Sequence, residues 1–392
     1  MEREFITTRG NAVVAGPQSP GRLRHFVFAL ITVSLTLIVC LGSAEILLRF
    51  LPVQSGLRSQ PVTAENPIFH FTPGRDATFS RAWNFDMVNH RRVNNAGWVN
   101  DQSYRPDNQT PLLAIVGDSY VEALMVPYAQ TFYGRLAKKL AGQLRVYSFG
   151  ASGAPLSQYL IWARHAVREY GARAVVINLV GNDFDESYKS YTKGPGWWVY
   201  APAPDGTLHL ELIEYRPGWL TSALRDSSLA RYVFFNLQFT NTWREIYSFF
   251  FGSPAAAAPR YAGNTDAQAD PVRIKTSLAA IDAVFRDLPS IVGLPPDRIL
   301  FTLDGFRYPD LAASGTGTYF DLMRQAFRSK AESLGYEVID LGPDFLRHYA
   351  AHAQRFEYPN DGHWNETGHS VVAKAVLASK LVERLMGQQP RP

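Results

Sequence analysis

Cysteine is almost missing from this chain: Cys40 is the only one in 392 residues, so no intramolecular disulfide can close. That excludes a small disulfide-stapled scaffold, but not an oxidising compartment, where many larger domains do without such bridges. Charge is scarce too. Asp, Glu, Lys and Arg make up 19% of the residues and the formal net charge is +4. No run of Lys and Arg interleaved with aromatics occurs, so nucleic acid is not an expected partner. No His/Cys/Asp/Glu cluster has metal-ligand spacing and no glycine-rich phosphate cradle appears, so neither metal nor organic cofactor is expected. Long uncharged apolar stretches are missing as well, with one exception.

The exception is Phe26 to Ala44, 19 residues without a charge (FVFALITVSLTLIVCLGSA). Roughly 20 apolar residues cross the ~30 Å hydrocarbon layer as a helix. A buried core helix of this length would carry a polar stripe, and Thr32, Ser34 and Thr36 do not make one. Ahead of it stand Arg3, Arg9, Arg22 and Arg24 against Glu2 and Glu4, which keeps the short N-terminus cytoplasmic. A cleaved leader would use Gly42-Ser43-Ala44 as its site. Lipidation at Cys40 would need a small residue before it, and Val39 is there. The preferred reading is a cytoplasmic tail (1–25) and a single-pass anchor (26–48) in the inner membrane, with everything beyond it on the periplasmic side.

The remainder is long enough, at 46% hydrophobic composition, to bury a large core. Residues 52–110 are rich in Asn, Pro and Gly and read as a loop-rich lead-in. From Pro111 the pattern becomes regular. LLAIVG (112–117), RVYSFG (145–150), AVVINLVG (174–181), RILFTLDG (298–305) and EVIDLG (337–342) are short apolar runs of the kind found in strands buried on both faces. Between them lie helical stretches: an apolar-periodic one after Ser119 reaching Leu140, Leu156 to Tyr170, Phe320 to Leu334, and a last one from an Asn365 cap to about Leu385. Such alternation predicts an α/β fold with a parallel sheet of about five strands and helices on both faces, spanning 111–386. An insert at about 184–296 breaks the alternation. It holds Trp197, Trp198, Trp219 and Trp243 and an Ala/Pro/Gly-rich loop (252–264), and reads as a partly helical cap.

In parallel sheets, ligands bind beyond the carboxyl ends of the strands. Three candidate features fall there. Gly117-Asp118-Ser119 follows the first strand and opens a helix, where unpaired backbone N–H groups favour developing negative charge; an ordinary N-cap has the same composition. Ala151-Ser152-Gly153 follows the second strand, where glycine lets the backbone approach a ligand or simply turns the chain. Gly181-Asn182-Asp183 follows the third, where an amide can donate to an oxyanion or form a turn. The fourth feature, Asn360-Asp361-Gly362-His363-Trp364, precedes the last helix. Residues two apart in extended chain share a side, so Asp361 can reach the imidazole of His363, and a serine nucleophile needs such an oriented base.

In this chain order the set resembles the SGNH/GDSL hydrolase family, whose four signature residues match Ser119, Gly153, Asn182 and His363. The match spans roughly 112–185 and 298–385 and implies a flavodoxin-like α/β/α sandwich. It also implies catalysis by Ser119, His363 and Asp361, with an oxyanion hole from Ser119, Gly153 and Asn182. One position departs. The family's acid usually stands three residues before the histidine, where this chain has Asn360; Asp361 stands two before. The resulting D-x-H-W resembles the variant in alginate O-acetylation proteins, which tilts the implied substrate toward acylated carbohydrate.

The expected activity is thus a membrane-anchored serine esterase acting on O-acyl groups of a carbohydrate or small ester. A polysaccharide O-acyltransferase would use the same residues, with a membrane acyltransferase partner supplying its donor. A non-catalytic carbohydrate-binding assembly protein is the third reading. Trp197 and Trp198 are candidates for stacking on sugar, although paired aromatics in inserts are more often core. His369, Asp118, Asp183 and Asp304 read as structural.

Overall fold

The computed structural model describes residues 21–106, 109–238, 261–262, 264–359 and 361–387. The tail before Gly21, Trp243 with most of the 252–264 loop, and Asn360 lie outside the described residues. The chain divides into two units, 1–51 and 52–392.

The first unit is one helix, α1 (Gly21–Leu48). Its stretch Leu23–Leu48 has mean hydropathy 2.4, long and apolar enough to cross a membrane. Leu30, Ile31, Val33, Leu35, Leu37 and Ile38 are all exposed, so the apolar surface runs round the helix rather than along one stripe.

The second unit is built on five parallel strands: β3 (Leu112–Gly117), β4 (Arg145–Gly150), β5 (Ala172–Leu179), β8 (Ile299–Leu303) and β9 (Glu337–Asp340), in the spatial order β9-β8-β5-β3-β4. Counted along the chain this is the 2-1-3-4-5 order of doubly wound sheets, with its switch point between β3 and β5. Every residue of β3 is buried, because helices cover both faces. On one side lie α4 (Leu156–Tyr170), α6 (Pro271–Val292) and α7 (Tyr319–Ser333), sharing a core with Val175, Ile177, Phe285, Phe301 and Phe327. On the other lie α3 (Phe132–Lys139), α8 (Gly342–His352), α9 (Glu366–Leu377) and α10 (Lys380–Gly387), around Ile115, Phe132, Leu300, Phe345 and Val372.

Two segments outside the sandwich are more ordered than their sequences suggest. The lead-in contains an antiparallel hairpin, β1 (Arg75–Arg81) with β2 (Met87–Val93). Its Arg91 is buried and donates to the Val126 carbonyl and the Tyr133 hydroxyl, both at 2.8 Å, which nails the hairpin to the chain after Ser119. After β5 a second hairpin forms, β6 (Trp198–Pro202) with β7 (Leu208–Leu212). Helix α6 lies beside α4 and α7 in the sandwich, although its sequence falls within the stretch that reads as an insert.

Candidate active site

Ser119, at the carboxyl end of β3, is the first residue of the short helix α2 (Ser119–Glu122), and Asp118 caps it by accepting the Tyr120 N–H at 2.9 Å. The helix packs tightly: a Cβ on Gly117 would lie 2.5 Å from Cγ2 of Val121, so this turn requires glycine. His363 arrives from a strand pair, β10 (Glu357–Tyr358) with β11 (Asp361–Trp364). Its Nε2 lies 2.8 Å from Ser119 Oγ. On the far side of the ring Nδ1 is hydrogen-bonded to Asp361 Oδ1, which also accepts the His363 backbone N–H at 3.0 Å. Serine, imidazole and carboxylate therefore form a continuous relay from two distant stretches of chain. The serine hydroxyl has a second acceptor within reach, Asp118 Oδ2 at 3.1 Å.

Electrostatics suit the relay. Burial pushes the Asp361 carboxyl up, but the hydrogen bond and charge of His363, its backbone N–H and Arg81 outweigh this and hold it below the usual carboxylate range. Asp118 goes the other way, pushed up to about 6 by burial. The two acids beside Ser119 and His363 thus titrate apart, with Asp361 the one kept ionised.

Gly153 and Asn182 follow β4 and β5, the two strands that pair with β3. Gly153 has φ +79, a left-handed turn that glycine adopts without strain. Among the described residues, neither the Ser119 N–H nor the Gly153 N–H meets a protein acceptor. Asn182 is buried and its amide is fixed at both ends: Nδ2 donates to Glu186 at 3.0 Å, and Oδ1 accepts from Asn264 at 2.9 Å. One hydrogen of Nδ2 remains for a ligand. Asp183 opens the short helix α5 (Asp183–Glu186) and organises its turn, accepting from Tyr159 Oη at 2.7 Å and the Val180 N–H at 2.8 Å.

The histidine loop is seated by groups that carry no motif of their own. Trp364 Nε1 donates to buried Asp304 at 3.1 Å, and Arg307 donates to the other Asp304 oxygen at 3.0 Å, to the Gly362 carbonyl at 2.8 Å and to Tyr120 Oη at 2.9 Å. Asp304 and Arg307 thus tie the end of β8 to both the nucleophile's helix and the base's loop. The Asp304…Arg307 spacing after a strand was the signal available for this, and alone it is weak. His369 lies away from the chemistry, buried and stacked on Phe132, its Nδ1 accepting the Phe132 N–H at 3.2 Å.

A cavity of about 490 Å³ adjoins the Gly153 side, with Gln54, Glu122, Ser152, Gly153, Trp197 and Phe235 among its lining residues. Lead-in and insert together form its outer wall. Trp197 is buried with its ring 4.3 Å from Phe69. Trp198 is only half-buried, and its Nε1 donates to the Pro67 carbonyl at 3.0 Å. Glu122 is buried, accepts a hydrogen bond from Ser152, and is pushed up to about 7 by its burial. A cavity of similar size, about 510 Å³ between α8 and α9, contains none of the catalytic candidates. Among the described residues no group of three or more His, Cys, Asp or Glu side chains converges as a metal site would.

No protein-family model matches the chain, and no curated protein does either. Among solved structures it is similar to LAE5, an α/β hydrolase enzyme from the metagenome of Lake Arreo, Spain, at 15% identity, covering 72% of this chain and 97% of that one with a TM-score of 0.36. It is similar also to the lipase/acylhydrolase from Enterococcus faecalis, at 10% identity, 72% and 100% coverage and a TM-score of 0.36. A third is the lipase Lip_vut3 from a goat rumen metagenome, at 13% identity, 69% and 98% coverage and a TM-score of 0.34. Likeness this remote is no guide to substrate.

Proposed function

We propose that this protein is a serine ester hydrolase of the SGNH type, held at a membrane by α1. The observation that carries the reading is the 2.8 Å contact between Ser119 Oγ and His363 Nε2, with Asp361 on the opposite ring nitrogen. As Oγ attacks an ester carbonyl, its proton passes to Nε2, and Asp361 stabilises the imidazolium. The oxygen that becomes negative faces the N–H groups of Ser119 and Gly153 and the Asn182 amide. When the tetrahedral species collapses, the C–O bond to the alcohol breaks and the leaving oxygen takes the proton from Nε2. Water then attacks acyl-Ser119, giving its proton to His363, and the carboxylic acid departs as the proton returns to Oγ.

The cavity supports an O-acylated carbohydrate as substrate. Its wall mixes aromatic faces with hydrogen-bonding groups at Gln54, Glu122 and Ser152, a combination suited to a sugar ring. The same acyl-enzyme would serve an O-acyltransferase if a sugar hydroxyl, rather than water, reached it, with the acyl donor coming from a membrane partner. Basic Arg22 and Arg24 before the apolar stretch favour the second unit facing the periplasm.

The full chain in detergent should release p-nitrophenol from p-nitrophenyl acetate and react with a fluorophosphonate probe. Ser119→Ala should abolish both. Retained turnover in that variant removes Ser119 as nucleophile, and an unlabelled wild-type protein favours a binding role. Acyl gain on an added glycan with little free acid would turn the assignment to transferase.

A further inference from the structure

We propose that Arg81 is a positioning residue for the catalytic acid, delivered from outside the sandwich by the β1–β2 hairpin, so that the lead-in is a working part of the active site. The proposal rests on the serine-esterase reading above.

Asp361 has two carboxylate oxygens with unequal surroundings. Oδ1 takes both His363 N–H groups. Oδ2 is buried and, among the described residues, accepts no hydrogen bond, yet Nη2 of Arg81 stands 3.3 Å away. The Asp361 side chain is 1% exposed and that of Arg81 22%, so the pair is largely shielded from screening by solvent. An ionised carboxylate this deeply buried with one oxygen unpaired would be costly. The guanidinium offsets that cost and fixes the carboxylate's rotation, and with it the direction in which Oδ1 meets the imidazole.

The hairpin is a firm platform for this. Phe79 and Ala77 are buried, and the Arg81 guanidinium lies 5.4 Å from the Phe79 ring centre. Across the hairpin, Arg91 holds the Val126 carbonyl, and Asn89 Nδ2 donates to the Leu124 carbonyl at 2.7 Å. One hairpin thus grips the chain just beyond the nucleophile and, through Arg81, the acid behind the base. Other charged or titratable groups surround the Asp361–His363 pair. Asp118, Tyr120 and Glu122 face it from the first strand's turn and α2, Arg307 from the segment after β8, Tyr358 from β10, and His369 from α9. Arg81 is the group among them that forms an ion pair with the acid.

Removing a positive charge beside the pair lets it take up a proton at higher pH, whichever member carries it. Arg81→Gln in the full chain should lower kcat roughly 10-fold with little change in KM. The acid limb of kcat/KM should move up by about half a pH unit or more. Arg81→Lys, which keeps the charge, should recover most of both effects. In an Asp361→Asn background, Arg81→Gln should cost nothing further, because its target is gone. Thermal midpoints measured alongside separate these effects from loss of folded protein, and Arg81→Met, which also removes the charge, serves if the Gln variant does not fold. Unchanged kcat and limb in Arg81→Gln would overturn the proposal. So would a fall in kcat with an unmoved limb, or a loss that adds fully to that of Asp361→Asn. A wild-type chain that neither turns over ester nor takes the probe would instead sink the esterase reading, and the role of Arg81 with it.

Discussion

Asp361→Asn is the sharpest perturbation of the proposed chemistry. The aspartate accepts two hydrogen bonds at Oδ1, one from the His363 backbone at 3.0 Å and one from the ring at Nδ1. With its carbonyl oxygen at the Oδ1 position an asparagine can accept both, but turned over it presents amide donors where the site needs an acceptor. If the backbone bond keeps the carbonyl oxygen, the ring can remain correctly oriented yet loses the negative charge that stabilises imidazolium. If the amide turns instead, Nδ1 must accept, the ring proton moves to Nε2, and Nε2 then faces Ser119 Oγ with a hydrogen rather than a lone pair. The second arrangement leaves no base. Loss of the acid in a Ser-His-Asp relay by this exchange lowers kcat by roughly 10⁴-fold, and the first arrangement is milder, so about 10³- to 10⁴-fold is expected here. Steady-state hydrolysis of p-nitrophenyl acetate by the full chain measures it, with circular dichroism and a thermal midpoint checking the fold. Fluorophosphonate labelling should slow in parallel, since it uses the same deprotonated serine. Activity within tenfold of wild type would refute the reasoning and point to Asp118, 3.1 Å from Ser119 Oγ, as the working acid.

Asn182→Ala removes the donor whose orientation Glu186 and Asn264 fix, and should lower kcat by roughly 10²- to 10³-fold with a smaller change in KM, read from the same assay. Glu122 has a folded-state value of about 7 against 4.5 when free, so its contribution to stability is complete below about pH 4.5 and lost as pH rises through 7. Glu122→Gln should therefore gain up to about 3 kcal/mol relative to wild type at pH 8 in denaturant titrations, and little at pH 4. His369 is driven down by burial to about 3 against 6.5, so the native state refuses a proton the unfolded chain accepts. Its contribution is complete above pH 6.5 and is lost as pH falls toward 3, at up to about 1.4 kcal/mol per pH unit. His369→Gln should flatten that acid decline in thermal midpoints, only in part because His165, at about 4, declines over the same range.

The sheet was legible because strands buried on both faces cannot hide. LLAIVG and RVYSFG lack polar alternation, and the observed β3 and β4 coincide with them residue for residue. Helices were legible where the chain is uninterrupted, as at Leu156–Tyr170. Others broke at local signals that periodicity overrides. The helix expected to continue to Leu140 stops after Glu122, where Ala123 turns left-handed at φ +46, and resumes at Phe132. The last helix breaks after Leu377, and Ser379 accepts the Val382 N–H at 3.2 Å as the chain restarts. The β1–β2 hairpin was hidden for a different reason. RDATFSR and MVNHRRV are mostly polar, and the pair is held by cross-strand bonds and by Arg91 reaching into the domain. Arg81 was invisible altogether, since nothing within its own segment marks a contact with a carboxylate so far along the chain.

The spacing of the acid is explained by the strand that carries it. In β11 alternate residues face opposite sides, so Asp361 and His363 share one and Gly362 and Trp364 the other. Asp361 is buried behind the imidazole, whereas Trp364, fully buried, turns to the opposite side and anchors on Asp304. An acid three residues before the histidine would fall on the tryptophan's side of a regular strand and would need an irregular turn to reach Nδ1. Placing it two residues before lets an ordinary extended segment orient the base with one face and lock itself to the end of β8 with the other. The tryptophan after the histidine is therefore part of the same device. Its loss, as in Trp364→Phe, should loosen the base as well as the packing. Because a second strut, from Arg307 to the Gly362 carbonyl, would remain, kcat should fall by roughly 10-fold, far less than in Asp361→Asn. An equal loss in the two variants would show that the tryptophan, and not the carboxylate, is what makes this spacing work.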